Sequence, residues 1–259
     1  MAHLDYLLHL ADNAVVLGQR NGEWCGHGPI LEEDIAMANI SLDLIGQARL
    51  LYQHVAQLKN DGSTEDTLAY FRDASEFRNY TLLELPHHGP LVGYAVDNRD
   101  YAVTIVRNFL YSALMALLWE KLQNSKDAQL AAIAAKSLKE VRYHLRHSHD
   151  WLVRFGDGTE ASHQRAQAAL NHLMPYTQEF WTSSAFESQA TQDGVGVDTA
   201  QLKTDWQTLV QQTLAEATLQ MPSAEGFVTT GKQCAHSEHL SFMLNEMQSL
   251  ARAHPKGVW

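Results

Sequence analysis

The segment from about Tyr101 to Gln123 constrains the fold most, because its apolar side chains leave no polar face. At 3.6 residues per turn they occupy every side of a helix: Phe109, Leu110, Ala113, Leu114, Met115, Leu117, Leu118 and Trp119. A helix that is apolar all round must be covered by neighbours on several sides. Its apolar run, Ala113–Trp119, is too short to span a bilayer and is followed by Glu120 and Lys121. We therefore expect a buried helix at the centre of a helical bundle, and no membrane segment.

Helical periodicity also dominates the rest of the chain, interrupted by segments rich in Gly, Pro, Asn and Asp. The other long helices are predicted at Asp5–Arg20, Leu31–Leu58, Ala128–Phe155, Ser162–Thr182, Thr199–Ala217 and His236–Ala253. Shorter helical pieces are predicted at Thr67–Tyr70 and Phe77–Leu85. Few segments alternate apolar and polar residues as strands do. The pattern predicts an all-α bundle of four long core helices with flanking helices, in a single domain over residues 1–259.

Composition limits the classes of partner. The formal net charge of −11 argues against a nucleic-acid backbone or an anionic membrane as the main partner, because both attract Lys and Arg. The two cysteines, Cys25 and Cys234, have no metal-ligand spacing and are expected to be buried free thiols. The first residues carry an acid, Asp5, rather than the positive charge of a signal peptide. These features predict a cytoplasmic protein.

A polar line on the second helix admits two interpretations. Asn39, Asp43 and Gln47 are four residues apart and therefore share one face. The line could be a solvent-facing stripe with local hydrogen bonds. It could instead be a buried polar seam at the place where di-metal bundles keep their ligands. Spacing alone does not separate the two.

The sequence lacks the ligand motif of a di-iron carboxylate bundle, which takes a Glu and a Glu-x-x-His twice over. His144 has Val141, not a carboxylate, three residues before it. His236 and His239 are three residues apart, but a helix start beside a carboxylate explains this pair better than a metal site does. Phosphate loops, nucleophile elbows and activated-cysteine motifs are also missing. From its residues alone, the chain is a helical bundle without a credible active site.

Several longer motifs carry a family resemblance: Asn21-Gly22-Glu23-Trp24-Cys25-Gly26-His27-Gly28-Pro29, Glu33-Asp34-Ile35-Ala36-Met37-Ala38-Asn39-Ile40, Leu42-Asp43-Leu44-Ile45-Gly46-Gln47-Ala48-Arg49, Glu65-Asp66-Thr67-Leu68-Ala69-Tyr70, Arg72-Asp73 with Phe77, and Lys139-Glu140-Val141-Arg142-Tyr143-His144-Leu145-Arg146. In these motifs the chain resembles the C-type subunits of bacterial phenylacetyl-CoA epoxidases. The likeness runs from the first helix to Trp259. The loop at about Pro86–Asp100 is longer than the family pattern.

The resemblance implies a ferritin-like, structural subunit that pairs with a homologous catalytic subunit. That partner carries a di-iron centre and epoxidises the ring of phenylacetyl-CoA with O2. Electrons come from NADPH through a reductase with flavin and iron–sulfur centres. The resemblance further implies contact with the other subunits of the complex, self-association, and no cofactor bound by this chain.

The resemblance also places the family's metal-ligand positions on this sequence. They fall at Asn13 or Ala14 on the first helix and near Tyr111 or Ser112 on the third. The two Glu-x-x-His pairs fall on Asp43 with Gly46 and on Val141 with His144. Only Asp43 and His144 could still bind a metal, and these cannot hold two irons. We therefore expect vestigial ligand positions, no metal and no catalytic residue.

Substrate contacts are likewise implied by the resemblance, near the junction with the catalytic subunit. They fall on two segments: Ser75, Glu76, Phe77 and Arg78, and Glu187, Ser188 and Gln189. Arg78 could pair with a phosphate of the CoA ester, and Phe77 could stack on a planar group. An ordinary surface turn is the alternative for any one of these residues.

Two other functions remain open on the sequence. One is a di-metal oxygenase acting alone, which requires iron near Asp43 and His144. The other is a helical interaction protein unrelated to CoA chemistry.

Overall fold

The computed structural model describes residues 2–88 and 99–257, and these fold into α-helices joined by turns and 3-10 segments. The ten α-helices of the described residues are α1 (Ala2–Gly22), α2 (Leu31–Lys59), α3 (Glu65–Tyr70), α4 (Thr81–Glu84), α5 (Tyr101–Leu122), α6 (Ala128–Gly156), α7 (Glu160–Leu173), α8 (Ala185–Gln192), α9 (Lys203–Glu216) and α10 (Glu238–Ala253). Residues 89–98 of the long loop at 86–100 lie outside the described part of the chain.

The chain divides into two compact units. The first contains Met1–Leu85, Ser184–Ala190 and Thr230–Trp259, and the second contains Pro86–Ser183 and Thr191–Thr229. The prediction of a single domain over residues 1–259 therefore stays a prediction.

The first unit is organised around the long pair α1 and α2, which pack along each other. Acids in the first turn of α2 favour its start, because Glu32, Glu33 and Asp34 lie at the positive end of the helix dipole. Asn60 ends α2 in the left-handed conformation, with φ of 49°. The short helices α3 and α4 and the C-terminal helix α10 pack around this pair.

The second unit is organised around α5 and α6, with α7 and α9 packed on both. Asp127 caps α6 by accepting hydrogen bonds from the backbone of Gln129 and Leu130, each at 3.0 Å. The indole of Trp206 on α9 donates a hydrogen bond to the Leu110 carbonyl of α5 at 3.0 Å. This bond satisfies a buried polar group within an apolar contact.

Helix α5 has the all-round burial that its sequence predicts. Its residues from Tyr101 to Met115 are all buried. Length and composition alone would let α5 cross a membrane, so the apolar segment is longer than the run Ala113–Trp119 suggested. However, 89% of its most apolar window is buried inside the chain, as in the core helix of a globular protein.

Two expectations about buried residues differ from the structure. Both cysteines are free thiols, but Cys25 is exposed in the turn after α1, and Cys234 is only partly buried. Neither is the core thiol that was expected, because each lies in a connecting segment rather than on a helix. The polar line on α2 is neither a solvent-facing stripe nor a buried seam along its whole length. Asn39 is exposed, Asp43 is half-buried and Gln47 is buried.

Candidate substrate segments and remnant metal positions

The first predicted substrate segment, residues 75–78, is held in place by Arg72. The Arg72 guanidinium donates to Asp12, to the Tyr52 hydroxyl at 3.1 Å and to the Glu76 carbonyl at 2.9 Å. It also lies over the Phe77 ring, 4.3 Å from the centroid. Burial opposes the charge of Arg72, yet the adjacent Asp12 carboxylate helps to raise its pKa above the usual value. Arg72 is therefore a permanent cation that fixes the segment.

Asp12 of α1 is the other half of this anchor. Its buried carboxylate accepts from the Tyr52 hydroxyl at 2.6 Å and from the backbone N–H of Arg78 at 2.8 Å. Burial, together with the Asp12 charge, raises the pKa of Tyr52 well above its usual value. Tyr52 is thus a neutral hydrogen-bond donor, and α1, α2 and the 72–78 segment are tied together through one carboxylate.

The side chains of this segment differ in what they can offer a ligand. Ser75 and Glu76 are exposed, whereas Phe77 is fully buried beneath Arg72. Stacking of Phe77 on a bound group would require this packing to open. Arg78 is partly exposed, with its guanidinium 3.2 Å from Asp5 and 5.3 Å from the centroid of the Phe186 ring.

The second predicted segment, Glu187–Gln189, lies on α8. The Glu187 carboxylate accepts from the Ser184 backbone N–H at 2.7 Å and the Ser184 hydroxyl at 2.8 Å. It also lies 2.8 Å from the buried Lys232 ammonium. Burial would raise the pKa of Glu187, but His9 and Lys232 lower it below its usual value. Glu187 is therefore a charged carboxylate that forms its contacts within the protein, whereas Ser188 and Gln189 are exposed.

His9 brings the two segments together. Its Nδ1 donates to the Arg78 carbonyl at 2.6 Å, and its ring lies 5.8 Å from that of Phe186, next to Glu187 in the chain. Burial lowers the pKa of His9, and the Lys232 charge lowers it further, against the opposing charge of Glu187. The predicted segments are thus neighbours, although they are more than one hundred residues apart in sequence. The sequence pattern did not single out His9 or Lys232, and no local motif marks them.

A third buried carboxylate, Glu84, explains the His236 motif. It lies 2.8 Å from His236 Nδ1, accepts from the Ser237 backbone N–H at 2.6 Å and accepts from the Asn79 amide at 2.9 Å. Helix α10 begins directly afterwards, at Glu238. The explanation of this motif as a helix start beside a carboxylate is confirmed.

In the first unit, the positions that the resemblance assigns to metal ligands form other hydrogen bonds or offer few ligand atoms. The Asn13 oxygen accepts from the Tyr80 backbone at 2.8 Å, so this side chain serves to join α1 to the chain before α4. Asp43 and Gly46 on α2 are only half-buried. A Cβ built on Gly46 would meet no atom within 4 Å, so a methyl group would fit at this position.

In the second unit the corresponding positions are buried. Val141 and His144 on α6 are 2% and 3% exposed, and Tyr111 and Ser112 on α5 are buried. Burial raises the pKa of Tyr111, so its phenol stays neutral. Each of the two pairs that the resemblance aligns with Glu-x-x-His therefore contains one ligand-type residue, Asp43 or His144. This set of donors does not fit a di-iron centre.

Comparison with known proteins defines the class. The chain belongs to the phenylacetic acid catabolic protein family, whose sequence profile matches residues 1–259. The predicted fold class, all-α and ferritin-like, is confirmed.

Among curated proteins, the chain is similar to the C-type subunit of 1,2-phenylacetyl-CoA epoxidase from Escherichia coli strain K12. The two are 44% identical over 254 residues, which cover 98% of each chain. The resemblance drawn from the sequence motifs is therefore confirmed.

Proposed function

We propose that this chain is a non-catalytic, supporting subunit of a phenylacetyl-CoA epoxidase in aerobic phenylacetate breakdown. The proposal rests on two facts taken together. The chain matches the C-type subunit of that enzyme over nearly its full length. The residues aligned with the metal ligands cannot supply a di-iron centre. The oxygen chemistry then belongs to a homologous catalytic subunit, which holds the iron. NADPH supplies electrons through a separate reductase, and all components are cytoplasmic.

The supporting role follows from how the polar groups of the first unit are used. Asp12, Glu84 and Glu187 are all buried, and each is engaged by several donors within the fold. Such engaged groups rigidify a structure rather than exchange protons with a substrate. A rigid helical subunit can hold the geometry of a partner whose substrate channel prevents tight packing.

The exposed parts of the two segments are the proposed contacts for the CoA ester. The exposed residues are Ser75 and Glu76 on one segment and Ser188 and Gln189 on the other. Arg78 is partly exposed, and its guanidinium lies 3.2 Å from Asp5. A phosphate could replace Asp5 as the partner of the Arg78 guanidinium without exposing a buried charge. Phe77 and Glu187 would hold these contacts in place rather than touch the substrate.

Reconstitution tests the proposal. The catalytic subunit and reductase should oxidise phenylacetyl-CoA with NADPH only when this chain is present, and this chain with the reductase alone should give no turnover. Turnover without the catalytic subunit would show instead a di-metal oxygenase acting alone. Full activity of the catalytic subunit without this chain, and no complex between them, would favour an interaction protein unrelated to CoA chemistry.

A further inference from the structure

His236 lies just before α10 and holds the first predicted substrate segment by a backbone carbonyl. Its Nε2 is 2.8 Å from the Phe77 carbonyl oxygen, and its Nδ1 is 2.8 Å from Glu84 Oε2. The side chains of His236 and Glu84 are only 5% and 0% exposed. A carbonyl oxygen and a carboxylate oxygen only accept hydrogen bonds, so both ring nitrogens must carry a proton to satisfy them. The contacts therefore describe an imidazolium rather than a neutral imidazole.

A neutral ring could form the same contacts if the second proton lay on Glu84, so the surroundings of that carboxyl group matter. Burial by itself would favour the neutral pair. However, Oε1 accepts from the Ser237 backbone N–H at 2.6 Å, and Oε2 also accepts from the Asn79 amide at 2.9 Å. Hydrogen bonds to an ionised acceptor are about twice as strong as those to a neutral one, so these donors favour the carboxylate. A free imidazole also binds a proton about a hundredfold more tightly than a free carboxylate, which places the second proton on His236.

His9 shows the opposite arrangement on the next carbonyl. Its Nδ1 donates to the Arg78 carbonyl, but the Asn13 amide nitrogen lies 3.3 Å from its Nε2 and can only donate. The orientation of that amide is fixed, because the Asn13 oxygen accepts from the Tyr80 backbone N–H. His9 Nε2 must therefore accept, so the ring is neutral, in agreement with the lowering of its pKa by burial. Two buried histidines thus hold consecutive carbonyls in opposite charge states.

Three successive carbonyls of the substrate segment are fixed in this way. Arg72 holds the Glu76 carbonyl at 2.9 Å, His236 holds the Phe77 carbonyl, and His9 holds the Arg78 carbonyl. Two of the three donors are cations, and charge-assisted hydrogen bonds are stronger than neutral ones. The exposed groups of the segment therefore lie on a backbone that is held at each residue.

Other charged and titratable groups lie on the elements around this pair: Arg20, Arg72, Lys232, Cys234, Glu238 and His239. Each of the three cations is paired with a carboxylate of its own: Arg20 with Glu23, Arg72 with Asp12, and Lys232 with Glu187. Glu238, in the first turn of α10, is exposed. The Glu84 carboxylate, in direct contact with the ring, is therefore the counter-ion of His236.

We infer that His236 is an imidazolium at neutral pH and that it positions residues 75–78 through the Phe77 carbonyl. Its role toward a substrate rests on the proposed function, whereas its charge does not. His236 acts through the backbone of the segment and is a positioning residue, since its ring faces Phe77 and Glu84 inside the fold.

Nitrogen-15 NMR of the histidine rings in the purified full chain tests the charge. An ordinary imidazole, with a pKa of about 6.5, is doubly protonated in only about 3% of molecules at about pH 8. At that pH we expect protons on both ring nitrogens of His236 and a bare Nε2 on His9. The two rings are assigned by the loss of their signals in His236→Gln and His9→Gln. A bare Nδ1 on His236 would overturn the inference.

The counter-ion provides a second variant, which also serves if His236→Gln does not fold. Glu84→Gln keeps the shape of the side chain but removes its charge, so His236 should lose its second proton at about pH 8. Glu246→Gln, at an exposed glutamate of α10, is the matched control and should change no ring signal of His236. A second proton that persists in Glu84→Gln would refute the pairing on which the inference rests.

Kinetics of the reconstituted enzyme test the positioning role. His236→Gln should raise the KM for phenylacetyl-CoA about threefold to tenfold, because one charge-assisted hydrogen bond to the segment is lost. The kcat should change little, whereas a merely structural loss would lower the amount of active complex and leave KM unchanged. His254→Gln, at an exposed histidine after α10, should alter neither constant. An unchanged KM in His236→Gln would overturn the positioning role.

The two measurements separate this inference from the proposed function. If the wild-type chain supports no turnover in the reconstituted enzyme, the proposed function and the positioning role are both wrong. The NMR spectrum of the chain alone still decides the charge of His236. If turnover depends on the chain but His236 is neutral, the proposed function stands and the inference is wrong.

Discussion

Lys232 Nζ lies 2.8 Å from Glu187 Oε2, and the two side chains are only 1% and 4% exposed. The pair joins α8 to the segment before α10 within the first unit. It lies beside His9, so it also supports the place where the two predicted substrate segments meet. A buried pair of this kind costs little when both partners are present and much when one is removed.

Removing one partner should therefore destabilise the chain strongly. Lys232→Met leaves Glu187 as a buried charge without its ammonium, and we expect a loss of about 3–5 kcal/mol in the free energy of unfolding. Lys232→Met with Glu187→Gln should recover much of this loss, because no charge is then left buried. Urea unfolding checks both, with Lys139→Met at an exposed lysine of α6 as the control. A loss below about 1 kcal/mol in the single variant would contradict the assignment.

Stability should fall in mild acid, in part through His9. Burial lowers its pKa, so the unfolded chain binds a proton at higher pH than the folded chain does. The contribution of the neutral His9 imidazole to stability is complete above about pH 6.5, the pKa of this group in the unfolded chain. It is lost as the pH falls below that value. We expect His9→Gln to flatten the decrease in unfolding free energy between about pH 7 and 5.5.

The effects of other titrating groups can be distinguished from that of His9 in this measurement. The pKa of His172 is also lowered, by burial and by Arg107, so His172→Gln should remove its own share of the slope. Glu187 has a lowered pKa, and its contribution is lost only below about pH 4.5, outside this range. A slope unchanged by His9→Gln would show that the imidazole is not held neutral by burial.

Arg78 tests the proposed substrate contact. Arg78→Ala removes a partly exposed guanidinium, and loss of one charge-assisted hydrogen bond to a phosphate should raise the KM for phenylacetyl-CoA about tenfold. The kcat of the reconstituted enzyme should change little, because Arg78 would bind the ester and not take part in oxygen chemistry. Arg142→Ala, at an exposed arginine of α6, is the matched control. An unchanged KM would remove Arg78 from the substrate site.

Two helical glycines should respond in opposite directions to alanine. A Cβ on Gly156 would lie 1.9 Å from the Ala217 carbonyl oxygen, so Gly156→Ala must shift backbone and should cost about 1–3 kcal/mol or more. A Cβ on Gly46 meets nothing within 4 Å, so Gly46→Ala should stabilise the isolated chain by up to about 1 kcal/mol. Thermal unfolding of both variants measures the contrast. Equal effects would contradict the packing described at Gly156.

Much of the fold is predictable because local signals mark the long helices. Leu31 begins α2 as predicted, and its last residue is Lys59, one beyond the prediction. The helix predicted at Ser162–Thr182 instead ends at Leu173 and continues as a 3-10 segment containing Pro175, because proline cannot donate a helical hydrogen bond. Helix α8 was missed because it has only eight residues, although Ser184 and Glu187 carry a capping pattern at its start.

The candidate site was less predictable, because its groups pair across long stretches of sequence. Asp12 meets Arg72, and Glu187 meets Lys232, but any acid could in principle pair with any base of similar burial. The periodicity of α2 likewise shows apolar residues on most of its circumference without showing which face is covered. Only the folded chain separates the buried Leu44 from the exposed Leu42.

Iron content tests the central claim most directly. The chain should be co-expressed with its catalytic subunit, separated from it under native conditions, and both should be assayed for bound iron. The account predicts essentially no iron on this chain and an iron pair on the catalytic subunit, because Asp43 and His144 alone cannot hold a binuclear centre. Close to two irons on this chain, with the spectrum of a bridged centre, would contradict it.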